Sequence, residues 1–404
     1  MGNETIEAPA GVPAERIVDF DIYDFPVDGL DYQGSMRKIL ASRPGAVLWS
    51  PHNGGHWIVR TSDTVAKVLS DHEHFSSRRI QVESAPSERA ALVPLQLDPP
   101  AHAPYRALLQ HALSPKAVGQ LGIRARELTI ELIEGFKADG YCEFIGQFAQ
   151  HLPIAIFMEI VGLPADDRLY LTSIAEIAMR GETDAERQEA IGKLMAYGMG
   201  KVAERRANPG TDLISRVVGT DVDGKPIDDA ALSGLTLLLL LGGLDTVAST
   251  LGFYAQFLAT HPEHRKRLQD DPDLIVNANE ELLRRFPIAV LAREVKADVE
   301  LDGVLLKAGE MVLVPTQMDG LDERKFADPL TVDFHREKPG ANSTFGGGVH
   351  RCVGSMLART ELRIFLEEWL KRIPDFAIKP RTSPRVSARS VATITRLELV
   401  WPAP

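Results

Sequence analysis

One cysteine in this chain has neighbours that could make it a metal ligand. The run Phe345-Gly346-Gly347-Gly348-Val349-His350-Arg351-Cys352-Val353-Gly354 puts glycines on both sides of Cys352. Glycine lets a backbone approach a flat cofactor closely and adopts positive φ where a turn needs it. A helix is expected straight after Cys352. The sulfur would then sit near a helix N-terminus, where unpaired N–H groups and the dipole favour a thiolate over a thiol. An anionic sulfur is what a haem iron needs to push electron density towards O–O cleavage. In such a site Phe345 shields the sulfur from water and His350 reaches a propionate. The bland alternative is a free cysteine beside a glycine-rich turn, packed as a small hydrophobe.

A second cluster lies in the most apolar stretch of the chain, Gly242-Gly243-Leu244-Asp245-Thr246. Two glycines inside a helix cost roughly 1 kcal/mol each relative to alanine. Thr246 is four residues past Gly242, the spacing of one helical hydrogen bond. A bare Gly242 and a hydroxyl that can bond the backbone would let the helix open locally. The groove could hold dioxygen, and Asp245 beside Thr246 offers an acid and a hydroxyl for relaying protons. Alone, the pentapeptide fits close helix packing and a surface salt bridge equally well. Glu281 and Arg284, three apart on a helix, share one face; exposed, such a pair contributes only about 0.2–0.5 kcal/mol.

These residues must be positioned by a chain of 404 residues, 44% hydrophobic, enough for a large core. Strand-like stretches at 46–50 and 56–60 flank the Asn53-Gly54-Gly55 turn. Helical periodicity follows at 123–138 and 184–206, then the loop Asn208-Pro209-Gly210. A helix starting near 227–229 runs through 235–261, apolar on nearly every face and therefore central. Another over 273–286 must stop near Pro287. Strand-like pieces at 299–301 and 311–315 precede an irregular stretch, 319–348, and a last helix from Cys352 to about 372. The expected fold is mainly α with small β-sheets, one domain over 1–404 with a flexible tail at 1–14.

Lys and Arg total 45 against 56 Asp and Glu, a formal net charge of -11. That balance argues against tracking a nucleic-acid backbone, where basic patches supply affinity. Two cysteines, Cys142 and Cys352, do not make a disulfide framework and fit a reduced cytosol. The N-terminus lacks the basic start and apolar core of a signal peptide. The apolar run 237–244 falls short of the roughly 20 residues that span a bilayer. A soluble cytoplasmic protein with no membrane partner is expected.

The aromatic, glycine and cysteine spacing of 345–354 closely resembles the haem-binding signature of the cytochrome P450 family. The resemblance covers most of the chain. It is strongest to the bacterial camphor-hydroxylating class, in runs such as Glu280-Glu281-Leu282-Leu283-Arg284-Arg285-Phe286 and Gly320-Leu321-Asp322-Glu323-Arg324. It implies that class's triangular, mostly helical fold, with haem b ligated by Cys352. Asp245, Thr246 and Gly242 become the oxygen-activating group, and His102, Arg106, Arg293 and His350 the propionate ligands, with Phe345 and Gly346 beside the sulfur. Glu281, Arg284 and Arg336 become a structural set for folding and haem loading. Electrons would come from NADH through a flavoprotein reductase and a [2Fe–2S] ferredoxin, docking at Arg106, Lys338 and Arg351, and the protein would act as a monomer.

The departure from that class lies over the substrate. Counting back from Asp98-Pro99-Pro100 puts Ala90 where the camphor enzyme holds its ketone with a tyrosine, so camphor is not the expected substrate. Ala90, Leu92, Val93, Gln96, Leu238, Leu241, Ala289 and Val391 would line a mostly apolar pocket, with Gln96 or Arg89 as replacement hydrogen-bonding groups. A small terpenoid or norisoprenoid, such as an ionone, fits best. The alternatives are a peroxide-driven haem-thiolate enzyme and a haem-thiolate protein that binds a ligand without turnover.

Overall fold

Val47–Ser50 and His56–Val59 pair antiparallel, with Trp49 opposite Trp57. Met311–Pro315 adds parallel to His56–Val59 and antiparallel to Val290–Val295, which pairs with Phe75–Ser76 to complete a five-stranded sheet. The Val299–Leu301 strand folds back on Val304–Leu306 as a separate hairpin. The computed structural model describes residues 6–9, 11–82, 91–387 and 391–402. The chain gathers into two units. One comprises Met1–Glu88, Val276–Cys352 and Pro384–Thr395; the other comprises Arg89–Ile275, Val353–Ser383 and Arg396–Pro404. Near the start of the chain, the Ile6 N–H donates to Pro51 O at 2.9 Å.

The first unit holds the sheet and the helix Ile275–Arg285, whose buried polar side chains organise the irregular stretch after it. Glu281 and Arg284 are both 0% exposed. Arg284 Nε and Nη2 donate to Glu281 Oε2 and Oε1 at 2.7 and 2.8 Å. Arg336 Nε joins the same carboxylate at 3.0 Å, and the Asp333 N–H at 2.9 Å. Arg284 Nη1 reaches Gly320 O at 2.6 Å and Pro329 O at 2.7 Å. Burial turns a pair that would be weak on a surface into one that is costly to break.

The second unit is nearly all helix. Pro115–Phe136 packs against Ser355–Arg372, where Gly122 lies under the Thr360 methyl and Arg126 bridges Glu367 and Glu368. Pro115 at the first helical position starts that helix earlier than the apolar periodicity from 123 suggests. Asp184–Ala207 begins at a capping box between Thr183 and Glu186. Ser355–Arg372 starts three residues beyond Cys352, because Val353 and Gly354 form a turn. The dipole at Cys352 is thus weaker than the sequence implies, since it acts within the first turn.

The central helix is two helices, Asp229–Leu244 and Thr246–Thr260, interrupted at Asp245, which has φ -128° and ψ -38°. Taken as one 32-residue run it is long and apolar enough to cross a membrane, which the shorter run 237–244 concealed. Its residues Leu235, Leu251, Phe253 and Tyr254 are fully buried within the protein.

Two stability experiments follow. Glu281→Ala leaves the buried Arg284 guanidinium, and the half-buried one of Arg336, without their carboxylate and should cost about 3–5 kcal/mol in denaturant unfolding. Arg336→Ala, at the partly wetted edge, should cost less. His56 is also buried, and burial lowers its pKa to about 4. It folds neutral, so stability should fall as pH drops from about 6.5 towards 4, by up to about 3 kcal/mol. A His56→Gln variant should show a flatter acid limb in pH-dependent melting; an unchanged limb would exclude His56 as its source.

Candidate active site

In the first unit, the cysteine loop is held by its own backbone. The Gly346 N–H donates to Ser343 O at 2.8 Å and the Cys352 N–H to Phe345 O at 2.8 Å. Thr344 Oγ1 donates to Leu283 O at 2.7 Å, tying the loop's entry to the helix that carries Glu281. Gly348 has φ +60°, and a Cβ there would stand 2.4 Å from Leu69 O, so conformation and space both demand glycine. Cys352 is exposed, whereas Cys142 is buried and its thiol pKa is pushed well up by that burial.

His350 lies half-buried in the short turn Gly348–His350. Arg293 is 3% exposed on Val290–Val295, with Nη1 donating to Ala292 O at 2.7 Å. Arg351 and Lys338 are exposed. Ala289 and Val391 are brought together as an antiparallel bridge, reinforced by the Ala392 N–H donating to Ile288 O at 2.9 Å.

These residues fit a haem. Among the described residues no group of three or more His, Cys, Asp or Glu side chains could hold a bare metal ion. Cys352 can offer one soft ligand, which suits a metal already held by a macrocycle. A Cβ built on Gly346 would meet nothing nearer than Leu291 Cδ1 at 3.7 Å, so that face of the loop has room. Arg293 and His350 supply cation-capable side chains for carboxylates in the same unit.

In the second unit, Thr246 Oγ1 donates to Gly242 O at 3.1 Å at the helix interruption, the bond that the four-residue spacing suggests. The two glycines have different jobs. A Cβ on Gly243 would collide with the Phe157 ring at 2.2 Å, while one on Gly242 would meet nothing within 4 Å. Close packing therefore explains Gly243, and Gly242 alone leaves an open notch.

Asp245 is held by a residue that sequence reasoning missed. Arg180 Nη2 donates to both Asp245 oxygens at 2.7 Å and approaches Ser249 Oγ at 3.4 Å. The pair is mostly buried, at 12% and 14% side-chain exposure, unlike a solvated surface bridge. The only hint was a cation closing the helix Arg168–Arg180, and its partner is 65 residues away.

Leu238, Leu241, Gly242 and Asp245 share one helical face, and both leucines are half-buried. One turn earlier, a Cβ on Gly234 would lie 1.9 Å from Ala91 O, so the segment holding Leu92 and Val93 rests directly on this helix. Gln96 Oε1 accepts from the Leu92 N–H at 2.9 Å, which commits its carbonyl end to its own turn. His102 is buried and Arg106 half-buried, one turn apart on His102–Ala112. Ala90 and Arg89 lie outside the described residues.

Residues 179–396 match the family model described as Cytochrome P450. The chain is 32% identical over 406 residues to "Probable cytochrome P450 127A1" of Sinorhizobium fredii, covering 98% of each. It is 32% identical over 357 residues to "Mycinamicin IV hydroxylase/epoxidase" of Micromonospora griseorubida, covering 86% of this chain and 89% of the other. The solved structure of CYP101J2 superposes with a TM-score of 0.89 at 40% identity, covering 98% of this chain and 100% of that one. That of CYP101C1 gives 0.89 at 36% identity, with the same coverage.

The contrast between the cysteines is testable on protein stripped of any bound group. A thiol reagent should label Cys352 in the folded chain and spare Cys142 until denaturant is added. Equal labelling of both in the folded chain would contradict the burial described above.

Proposed function

The chain belongs to the cytochrome P450 family, and we propose that this haem b monooxygenase hydroxylates a small hydrophobic substrate other than camphor. A terpenoid or norisoprenoid, such as an ionone, suits the apolar walls Leu92, Val93, Leu238, Leu241, Ala289 and Val391, where burial supplies most of the affinity. Gln96 belongs to the same region, and Ala90 and Arg89, expected there from the sequence, lie outside the described residues. NADH provides the electrons, through a flavoprotein reductase and a [2Fe–2S] ferredoxin. Exposed Lys338 and Arg351, with Arg106, offer an acidic partner a basic landing despite the net charge of -11. The protein is a soluble, cytoplasmic monomer in which residues 1–404 act as one functional domain.

When bound, haem b supplies the iron that activates dioxygen for insertion into an unactivated C–H bond. Cys352 would hold that iron, with Phe345 and Gly346 beside its sulfur, and His102, Arg106, Arg293 and His350 would hold the propionates. The observation that carries the oxygen-activating role is the opened turn where Thr246 Oγ1 bonds Gly242 O. That hydroxyl donates its own proton to a carbonyl and keeps lone pairs to accept another, as a relay requires. Asp245 is the acid behind it. Both its oxygens accept from Arg180, which fixes where the carboxylate stands relative to Thr246. Glu281, Arg284 and Arg336 act on folding and loading.

The reduced protein with carbon monoxide should show the thiolate band for which the family is named. Its absence after haem is supplied would overturn the assignment of Cys352. Turnover should need ferredoxin and NADH; turnover by peroxide alone would favour the peroxide-driven alternative. Thr246→Ala should keep NADH consumption and divert it to hydrogen peroxide, and tight coupling in that variant would remove the relay. Asp245→Asn should slow product formation by roughly 10²-fold or more.

A further inference from the structure

Glycine is unfavourable inside a helix, so each one in Asp229–Leu244 wants a reason. Gly243 admits Phe157, and Gly242 leaves an open notch. Gly234, which is buried, does a third thing. A Cβ there would stand 1.9 Å from Ala91 O, 3.1 Å from the Ala91 carbonyl carbon and 3.3 Å from Val93 N. All three atoms are main chain, which cannot swing aside as the end of a flexible side chain would. The peptide groups on both sides of Leu92 are therefore seated directly on the helix.

The seated segment is a compact turn, bonded so that it shifts as a unit. The Leu92 N–H donates to Gln96 Oε1 at 2.9 Å, the Gln96 N–H to Leu92 O at 2.8 Å, and the Leu97 N–H to Pro94 O at 3.1 Å. Val93 is 5% exposed and joins the core cluster that includes Leu235 and Leu237, with Leu92, Leu97 and Leu241 packed against it. Leu238 and Leu241 stand four and seven residues beyond Gly234, on the same helical face. One helix thus carries both the seat and the opposing leucines. How near the Ala91 carbonyl comes to position 234 sets how near Leu92 and Val93 come to them.

We infer that Gly234 is a specificity-determining positioning residue: its missing side chain seats the Ala91 carbonyl, and that seat fixes the width of the substrate pocket. This rests on Leu92, Val93, Leu238 and Leu241 being walls of that pocket, as proposed above. A methyl at position 234 would push the carbonyl outward by about 1 Å, from 1.9 Å to the 3.0 Å below which such contacts are not found. Leu92 and Val93 follow, because their peptide groups are the ones pushed. Close packing makes a change of even one methylene felt. Apolar walls discriminate through such margins, by about 10–200-fold for one methylene too many or too few. The substrate is thereby a compact apolar skeleton selected by size, and the helix backbone, rather than a wall side chain, sets the limit.

The test compares binding of β-ionone and of its homologue with one added methyl group. The haem-loaded enzyme is titrated with each, and dissociation constants are read from the low-to-high-spin shift. Wild type should prefer β-ionone by about tenfold. Gly234→Ala should bring that ratio close to one, chiefly by tightening the homologue. Gly192→Ala, at an exposed helical position where a Cβ meets nothing within 4 Å, should keep the wild-type ratio. Gln96→Met removes the acceptor of the Leu92 N–H and should lower the ratio by loosening the same wall. It decides the matter if Gly234→Ala fails to fold. No preference in the wild type, an unchanged ratio in the deciding variant, or an equal fall in Gly192→Ala overturns the inference. Absence of the carbon monoxide thiolate band in the wild type would instead overturn the proposed function, so the two failures are told apart.

Discussion

A single buried carboxylate governs how the first unit is built. Glu281 accepts from two Arg284 nitrogens, from Arg336 Nε and from the Asp333 backbone, with no exposure to water. Its partner Arg284 spends its remaining donors on carbonyls at Gly320, Pro329 and Thr331. Those carbonyls belong to a stretch with almost no regular structure, so neither ladder nor helix could satisfy them. The ion pair thus substitutes for secondary structure. Such a pair is a poor source of net stability and a strict setter of geometry, since every alternative conformation leaves a charge unpaired. The Thr344 bond to Leu283 passes that geometry to the entry of the cysteine loop.

The second unit uses a comparable device at its central helix. Gly243 admits Phe157 and fixes the packing, which frees Gly242 to leave space and Asp245 to break the helix. The carboxylate exposed by the break is then neutralised by Arg180. Close packing on one side makes an irregular backbone tolerable on the other.

Local chemistry was readable from the chain, and long-range pairing was not. The Cys352 loop and the Gly242 to Thr246 segment could be recognised because each is contiguous and each spacing maps onto one backbone geometry. Glu281 and Arg284 were found as neighbours on a helix, yet their burial, which changes their energetic meaning, depends on distant residues. Arg180 carried no local mark. The strand Val290–Val295 was overlooked because Arg293 and Glu294 break its apolar pattern, although Arg293 is buried. The start of the last helix was placed too early, since Val353 and Gly354 do not reveal by type that they form a turn. The interruption at Asp245 falls in the segment where Gly242 and Thr246 suggest a local opening, although the composition around it reads as one continuous helix.

Gly234 sits where the carbonyl of Ala91 presses against the central helix, closer than any side chain would permit. The stretch bearing Leu92 and Val93 consequently has a fixed contact point on the same helix, Asp229–Leu244, that carries Gly242. Remodelling of substrate range can proceed by exchanging wall side chains, whereas position 234 is closed to variation unless the contacting backbone moves with it. For anyone diversifying this enzyme, that glycine marks a boundary between what can be randomised and what must be inherited unchanged.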